Sequence, residues 1–161
     1  MTQFENNTLD DYNCGGYAFE TYEWYEGVDS DEVARWIFDL FCDGDMSYEI
    51  GINLVVFIIS YYIMKDFKDR QIHIVENFDD AAEDEYVVAL RIGISNAADA
   101  LKWESSEDVD YDFHFLKYKN ESFTEKCGKK KPAPVDHTIY LNWEINDFVY
   151  DSQMILFALK N

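Results

Sequence analysis

Asp112-Phe113-His114-Phe115-Leu116-Lys117 carries the period-two pattern of a strand with one face turned to a core. A polar turn, Lys119-Asn120-Glu121-Ser122, follows it, and Phe123-Thr124-Glu125 resumes the extended pattern. The two runs predict an antiparallel hairpin turning near Asn120. In such a hairpin position 125 falls opposite 114 or one step along. Upstream, Tyr86-Val87-Val88-Ala89-Leu90-Arg91-Ile92-Gly93-Ile94 has the β-branched content of a central strand. Shorter extended runs are expected at 71–75, 140–143 and 154–159. Helical patterns precede all of these. Helices first and strands afterwards give an α+β fold, with N-terminal helices packed on one antiparallel sheet.

Three helical patterns precede the strands, and a further short helix is expected over 96–103. From Asn13 to Glu26, Phe19, Tyr22, Trp24 and Tyr25 recur at roughly helical spacing until Gly27. Ser30 is a fitting N-cap, with Asp31 and Glu32 in the first turn and a stripe of Val33, Trp36, Ile37, Leu40 and Phe41 behind it. Ser47 caps a third helix over 50–67, apolar from Ile50 to Met64 except at Gly51, Asn53 and Ser60. That run is shorter than the roughly 18 to 20 residues that cross a bilayer, and Glu49 and Lys65 bound it closely. The expectation is a helix buried on most sides.

The 161 residues suit one domain over 1–161. Thirteen Lys and Arg stand against 33 Asp and Glu, for a net charge of −20. Such a charge repels phosphates and argues against direct nucleic-acid binding and against anionic membranes. It fits either a solubilising surface or one that imitates nucleic acid toward a basic groove. Two acidic clusters would form that contact surface, Asp79, Asp80, Glu83, Asp84 and Glu85 in the first and Glu107, Asp108 and Asp110 in the second. The three cysteines, Cys14, Cys42 and Cys127, have no paired spacing, so neither a disulfide framework nor a structural zinc site is expected. No metal and no cofactor are expected. The stretch Met1–Asn7 lacks a secretory pattern, which points to the cytoplasm.

Cys14 is the candidate nucleophile. It opens the first helical pattern, where unpaired N–H groups and the dipole favour a thiolate, and Gly15 and Gly16 would leave room for a substrate. His114 is the candidate base and Glu125 the residue that orients it. His73 and His137 have no comparable setting, and 126–134, with Lys129-Lys130-Lys131, reads as an exposed loop. Taken alone, a cysteine at a helix start or a histidine on a strand is more often structural than catalytic. Their co-occurrence in this order carries the argument.

The segment Asn13-Cys14-Gly15-Gly16-Tyr17-Ala18 resembles the nucleophile motif of small bacterial and phage proteins related to the NlpC/P60 and papain-like cysteine hydrolases. Their second motif, D-[YF]-H-[FW]-[YV]-R, a polar turn, then W-S-H-K-x-G, is similar to Asp112 to Lys117 and Phe123 to Gly128 here. Lys117 stands where Arg is usual, Phe123 where Trp is usual, and Glu125 where a second histidine is usual. The resemblance implies a papain-like fold and a cytoplasmic hydrolase of peptide, isopeptide or amide bonds, acting on a protein or peptide substrate. The alternative is a non-catalytic acidic protein of phage type, working in the host cytoplasm, that binds a basic groove on a host or defence protein.

Overall fold

The computed structural model describes residues 8–161, so the Met1–Asn7 stretch read above for a leader lies outside it. Among the described residues three α-helices precede the strands: α1 (Cys14–Ala18), α2 (Ser30–Phe41) and α3 (Tyr48–Asp66). The strands are β1 (His73–Val75), β2 (Glu85–Ile94), β3 (Tyr111–Lys119), β4 (Ser122–Glu125), β5 (Ala133–Pro134), β6 (Trp143–Ile145), β7 (Phe148–Tyr150) and β8 (Ile155–Lys160). Six of them form one antiparallel sheet in the order β1-β8-β2-β3-β4-β5, and β6 and β7 form a separate hairpin. The fold is α+β, helices packed on an antiparallel sheet.

The sheet is covered on both faces. On one face Val88, Leu90, Ile92, Phe115 and Phe157 join α2 and α3 through Val33, Ile37, Val55 and Ile59. On the other, Val87, Ala89, Leu116 and Ala158 meet Phe78, Ile139, Trp143 and Tyr150. Double coverage explains why β2 is buried along nearly its whole length and reads as a continuous apolar run rather than an alternating one. Gly93 permits the second layer. A Cβ there would lie 2.0 Å from the carbonyl oxygen of Val149, so β7 can approach β2 only over a glycine.

The β3–β4 turn has two central residues, Asn120 and Glu121, at φ 54° and 61°. That left-handed pair is the type I′ geometry matching the twist of a two-residue hairpin. It sets Leu116 opposite Glu125. Glu125 is therefore not across from His114, as the sequence suggested, but two residues further along, on the same face and diagonal to it. Continuing the register past the strand end brings Cys127 opposite His114.

Several local readings are corrected. The first helix covers five residues, not 13–26. Glu20 and Tyr22 turn left-handed at φ 59° and 56°, and the chain folds back on itself. The aromatic recurrence beyond residue 18 serves packing instead: Phe19 stacks on Phe67 at 4.4 Å and meets Tyr25 and Phe115 edge-on. The cap of α2 is Asp29, whose Oδ1 accepts from Asp31 N at 2.8 Å, not Ser30. The segment 96–103 contains a 3₁₀ turn, Ala97–Lys102.

The cap of α3 is Ser47, as the sequence indicated. Its burial differs from expectation. Val55, Val56, Ile59 and Ile63 face the core, while Ile50, Leu54, Phe57 and Tyr61 are exposed by 66%, 43%, 51% and 58%. At 19 residues and mean hydropathy 1.3 the helix is long and apolar enough to cross a membrane by length and composition, with 39% of it buried inside the fold.

Candidate active site

Asn13 builds the entrance to α1. Its Oδ1 accepts from Gly16 N and from Tyr25 N, both at 3.0 Å, and its Nδ2 donates to Tyr25 O at 2.6 Å. One amide thus caps the helix and pins the returning segment beside it. The glycines serve that return. A Cβ on Gly16 would sit 1.9 Å from Glu23 O, and one on Gly15 would sit 2.8 Å from Tyr25 O. They admit the protein's own backbone, not a substrate as the sequence suggested.

Further contacts fix α1 against the hairpin. Tyr17 Oη donates to Thr124 Oγ1 at 2.7 Å. Glu20 receives Lys117 Nζ at 3.2 Å and Lys119 Nζ at 2.9 Å, and the Lys117 ammonium lies 4.0 Å from the Tyr17 ring centroid. Lys126 completes the frame. It is wholly buried, although it belongs to the segment read as an exposed loop. Its Nζ donates to Leu9 O and Tyr12 O at 2.7 Å and to Gly128 O, and lies 4.5 Å from the Tyr12 ring centroid. The strand end therefore holds the backbone that leads into Cys14. Burial lowers the Lys126 pKa.

Cys14, His114 and Glu125 are brought together. All three are buried, at 6%, 3% and 6% exposure. His114 Nε2 lies 2.7 Å from Glu125 Oε1, and Cys14 is close enough to the ring to act on its pKa. With Nε2 given to the carboxylate, Nδ1 is the nitrogen left for the sulfur. Burial works to lower the His114 pKa, but Cys14 and Glu125 outweigh it and push it up to about 9. Burial likewise works against ionised Glu125, and His114 together with His137 reverses the outcome, holding this carboxyl below its ordinary range. The charged pair is favoured at neutral pH.

Around the triad, Trp143 meets His114 edge-on at 6.0 Å and Tyr150 lies 5.7 Å from it, its Oη donating to Asp112 Oδ2 at 2.6 Å. A cavity of about 720 Å³ opens beside them, walled by Cys14, His114, Cys127, Trp24, Phe148 and Tyr150, and also lined by Lys129, Lys130 and Glu26. It has the size of a ligand pocket.

Two residues escaped the sequence reading. His137 Nε2 lies 3.3 Å from Glu125 Oε2, so it does have a setting in the site. Cys127 lies beside Glu125, and burial followed by the nearby negative charge pushes its thiol up to about 11. A ligand atom from each of His114, Glu125 and Cys127 lies within 4.8 Å of the others, so these residues could hold a metal. The spacing of Glu125 and Cys127 was the available signal, since residues two apart on an extended chain share a face.

The acidic residues are not brought to this site. Asp79, Asp80, Glu83, Asp84 and Glu85 lie around the start of β2, and Glu107, Asp108 and Asp110 near its end, where Asp110 O accepts from Ser95 N. A ten-residue strand separates the clusters by about 30 Å. Several of these carboxylates serve their own loops. Asp80 accepts from Asn77 N, Glu85 from Ala82 N and Asp108 from Glu104 N, while Asp84 pairs with Lys160 and Asp110 with Ser95.

Comparison of the chain with family models, with curated proteins and with solved structures finds no match.

Proposed function

We propose that the protein is a cysteine hydrolase of papain-like type that cleaves a peptide, isopeptide or amide bond of a protein or peptide substrate. The observation that carries this reading is the buried His114–Glu125 pair, bonded at 2.7 Å, set beside Cys14 at the wall of a cavity large enough for a peptide segment. His114 already holds the proton given up by Cys14, and the thiolate sulfur attacks the substrate carbonyl carbon. The developing oxyanion is met by N–H groups at the start of α1, where Asn13 already occupies Gly16 N and leaves the earlier ones free of intrahelical partners. The tetrahedral intermediate collapses to a thioester as His114 returns the proton to the departing amine. Water, deprotonated by the same imidazole, then hydrolyses the thioester and restores the thiol. Glu125 keeps the ring oriented and supports its positive charge throughout.

The test is turnover of a panel of peptide and isopeptide amides, with intact-mass detection of a hydroxylamine-sensitive acyl adduct. Cys14→Ala should lower turnover by about a thousandfold or more and abolish the adduct while the fold persists. Undiminished turnover in that variant would refute the reading.

The net charge of −20 favours a second reading, a non-catalytic acidic protein that occupies a basic groove on a partner. Asp79, Glu83 and Glu107 carry it best, being carboxylates that none of the loop hydrogen bonds above engages. Charge reversal there would then remove binding, and added salt would weaken it.

A further inference from the structure

His114, Glu125 and Cys127 share one face of the β3–β4 ladder by register. Leu116 pairs with Glu125, and two residues back on one strand and two forward on the other stand His114 and Cys127. A ring nitrogen, a carboxylate oxygen and the Cys127 Sγ accordingly lie within 4.8 Å of one another. His137 brings a second imidazole, with Nε2 at 3.3 Å from Glu125 Oε2 and a side chain only 21% exposed. Donors from β3, the end of β4 and the segment after β5 converge on a single carboxylate.

We propose that His114, Glu125, Cys127 and His137 form a binding site for a zinc-class divalent cation, with Cys14 outside the ligand set. Two imidazoles, one thiolate and one carboxylate make a four-donor set suited to tetrahedral coordination. Hard cations such as magnesium and calcium need mostly oxygen, and this set offers one oxygen-bearing side chain. The thiolate and carboxylate together balance a dication, so the buried site carries no net charge when filled. His114 and His137 already contact Glu125 at 2.7 and 3.3 Å, and Cys127 Sγ lies within 4.8 Å of the His114 and Glu125 donors, so the set is gathered around one carboxylate. The other ring nitrogen of His114 is left for Cys14, which becomes an outer partner of the ligand. A bound cation would take Nε2 of His114 and the carboxylate of Glu125, so the imidazole could no longer cycle the Cys14 proton. That inhibition rests on the hydrolase reading, whereas the binding does not.

Cobalt(II) is the probe, titrated into the reduced full-length chain without oxygen. The site should give one equivalent of tetrahedral cobalt, with intense visible d–d bands and a near-ultraviolet thiolate-to-cobalt band, both displaced by zinc. Cys127→Ser should remove the thiolate band, His137→Ala should weaken binding by about tenfold or more, and Cys14→Ser should leave the spectrum as it is. A weak octahedral spectrum, a thiolate band that survives Cys127→Ser, or one lost with Cys14→Ser would overturn the proposal. Zinc should also slow alkylation of Cys14 in the wild type and not in Cys127→Ser. A filled cobalt site with unaltered Cys14 alkylation would overturn the hydrolase pairing and leave the metal site standing.

Discussion

The acidic loops flanking β2 and the buried cluster at the β3–β4 edge both concentrate ionisable groups, and they use them in opposite ways. In the loops several carboxylates bind a backbone N–H three or four residues away: Asp80 with Asn77, Glu85 with Ala82, Asp108 with Glu104. In the cluster the partners are distant in sequence. Lys126 reaches back to Tyr12 and Leu9, Tyr17 reaches Thr124, and Glu20 reaches Lys117 and Lys119. Local pairing shapes a turn and leaves the charge in water. Distant pairing fixes the relative placement of whole elements, as the proposed reaction of Cys14 with His114 would require.

The largest expected effect of breaking this contrast falls on activity. His114→Asn should lower turnover about as severely as Cys14→Ala, because the residues of one relay fail together. Assays of the single and double variants test this, and additive losses would mean that the two act separately. Next is stability. Lys126→Met leaves the carbonyls of Leu9, Tyr12 and Gly128 without their donor and should cost about 2–4 kcal/mol in urea denaturation. A loss under about 0.5 kcal/mol would show that the buried ammonium holds nothing.

The pH dependence has a defined sign. His114 is raised in the fold from 6.5 to about 9, so its stabilisation is fully present below about pH 6.5 and fades as pH rises through 9. Glu125 is lowered from 4.5, so its stabilisation is present above pH 4.5 and fades as pH falls through its lower folded value. The pair contributes most between those limits. Glu125→Gln should therefore destabilise more at pH 6 than at pH 10, as denaturation at the two pH values would reveal. Smallest of all are the loops. Reversing Asp79, Glu83 or Glu107 should shift stability by less than about 0.5 kcal/mol and leave turnover unchanged. A similar contrast divides α3. Ile59→Ala in the core should cost about 3 kcal/mol, and Phe57→Ser on the exposed stripe under about 1 kcal/mol.

The same contrast explains what could be read from the sequence. Alternation located β3, β-branched content located β2, and a capped apolar run located α3, because each signal lies in adjacent residues. The class α+β followed from element order. The extent of α1 did not, because its end is imposed by Asn13 holding Tyr25 and by Gly16 admitting Glu23, contacts invisible to a local window. The exposed stripe of α3 was missed for a related reason, since an apolar run shows no preferred face until its neighbours are known. Within the site, Cys14, His114 and Glu125 were legible as types in order. Their register was not, because a left-handed Glu121 is an unusual occupant of a tight turn. The Lys126 burial and the approach of His137 depend on segments that meet only in the folded chain.

The central claim, that Cys14 and His114 act as one unit, is tested most directly by site-resolved alkylation. Wild type and His114→Asn, each verified as folded by circular dichroism, would be treated with iodoacetamide from pH 5 to 9, and labelling at Cys14, Cys42 and Cys127 read separately by peptide mapping. At pH 6.5, Cys14 of the wild type should react at least about tenfold faster than in His114→Asn, and faster than Cys127. Equal Cys14 rates in the two proteins across that range would contradict the account.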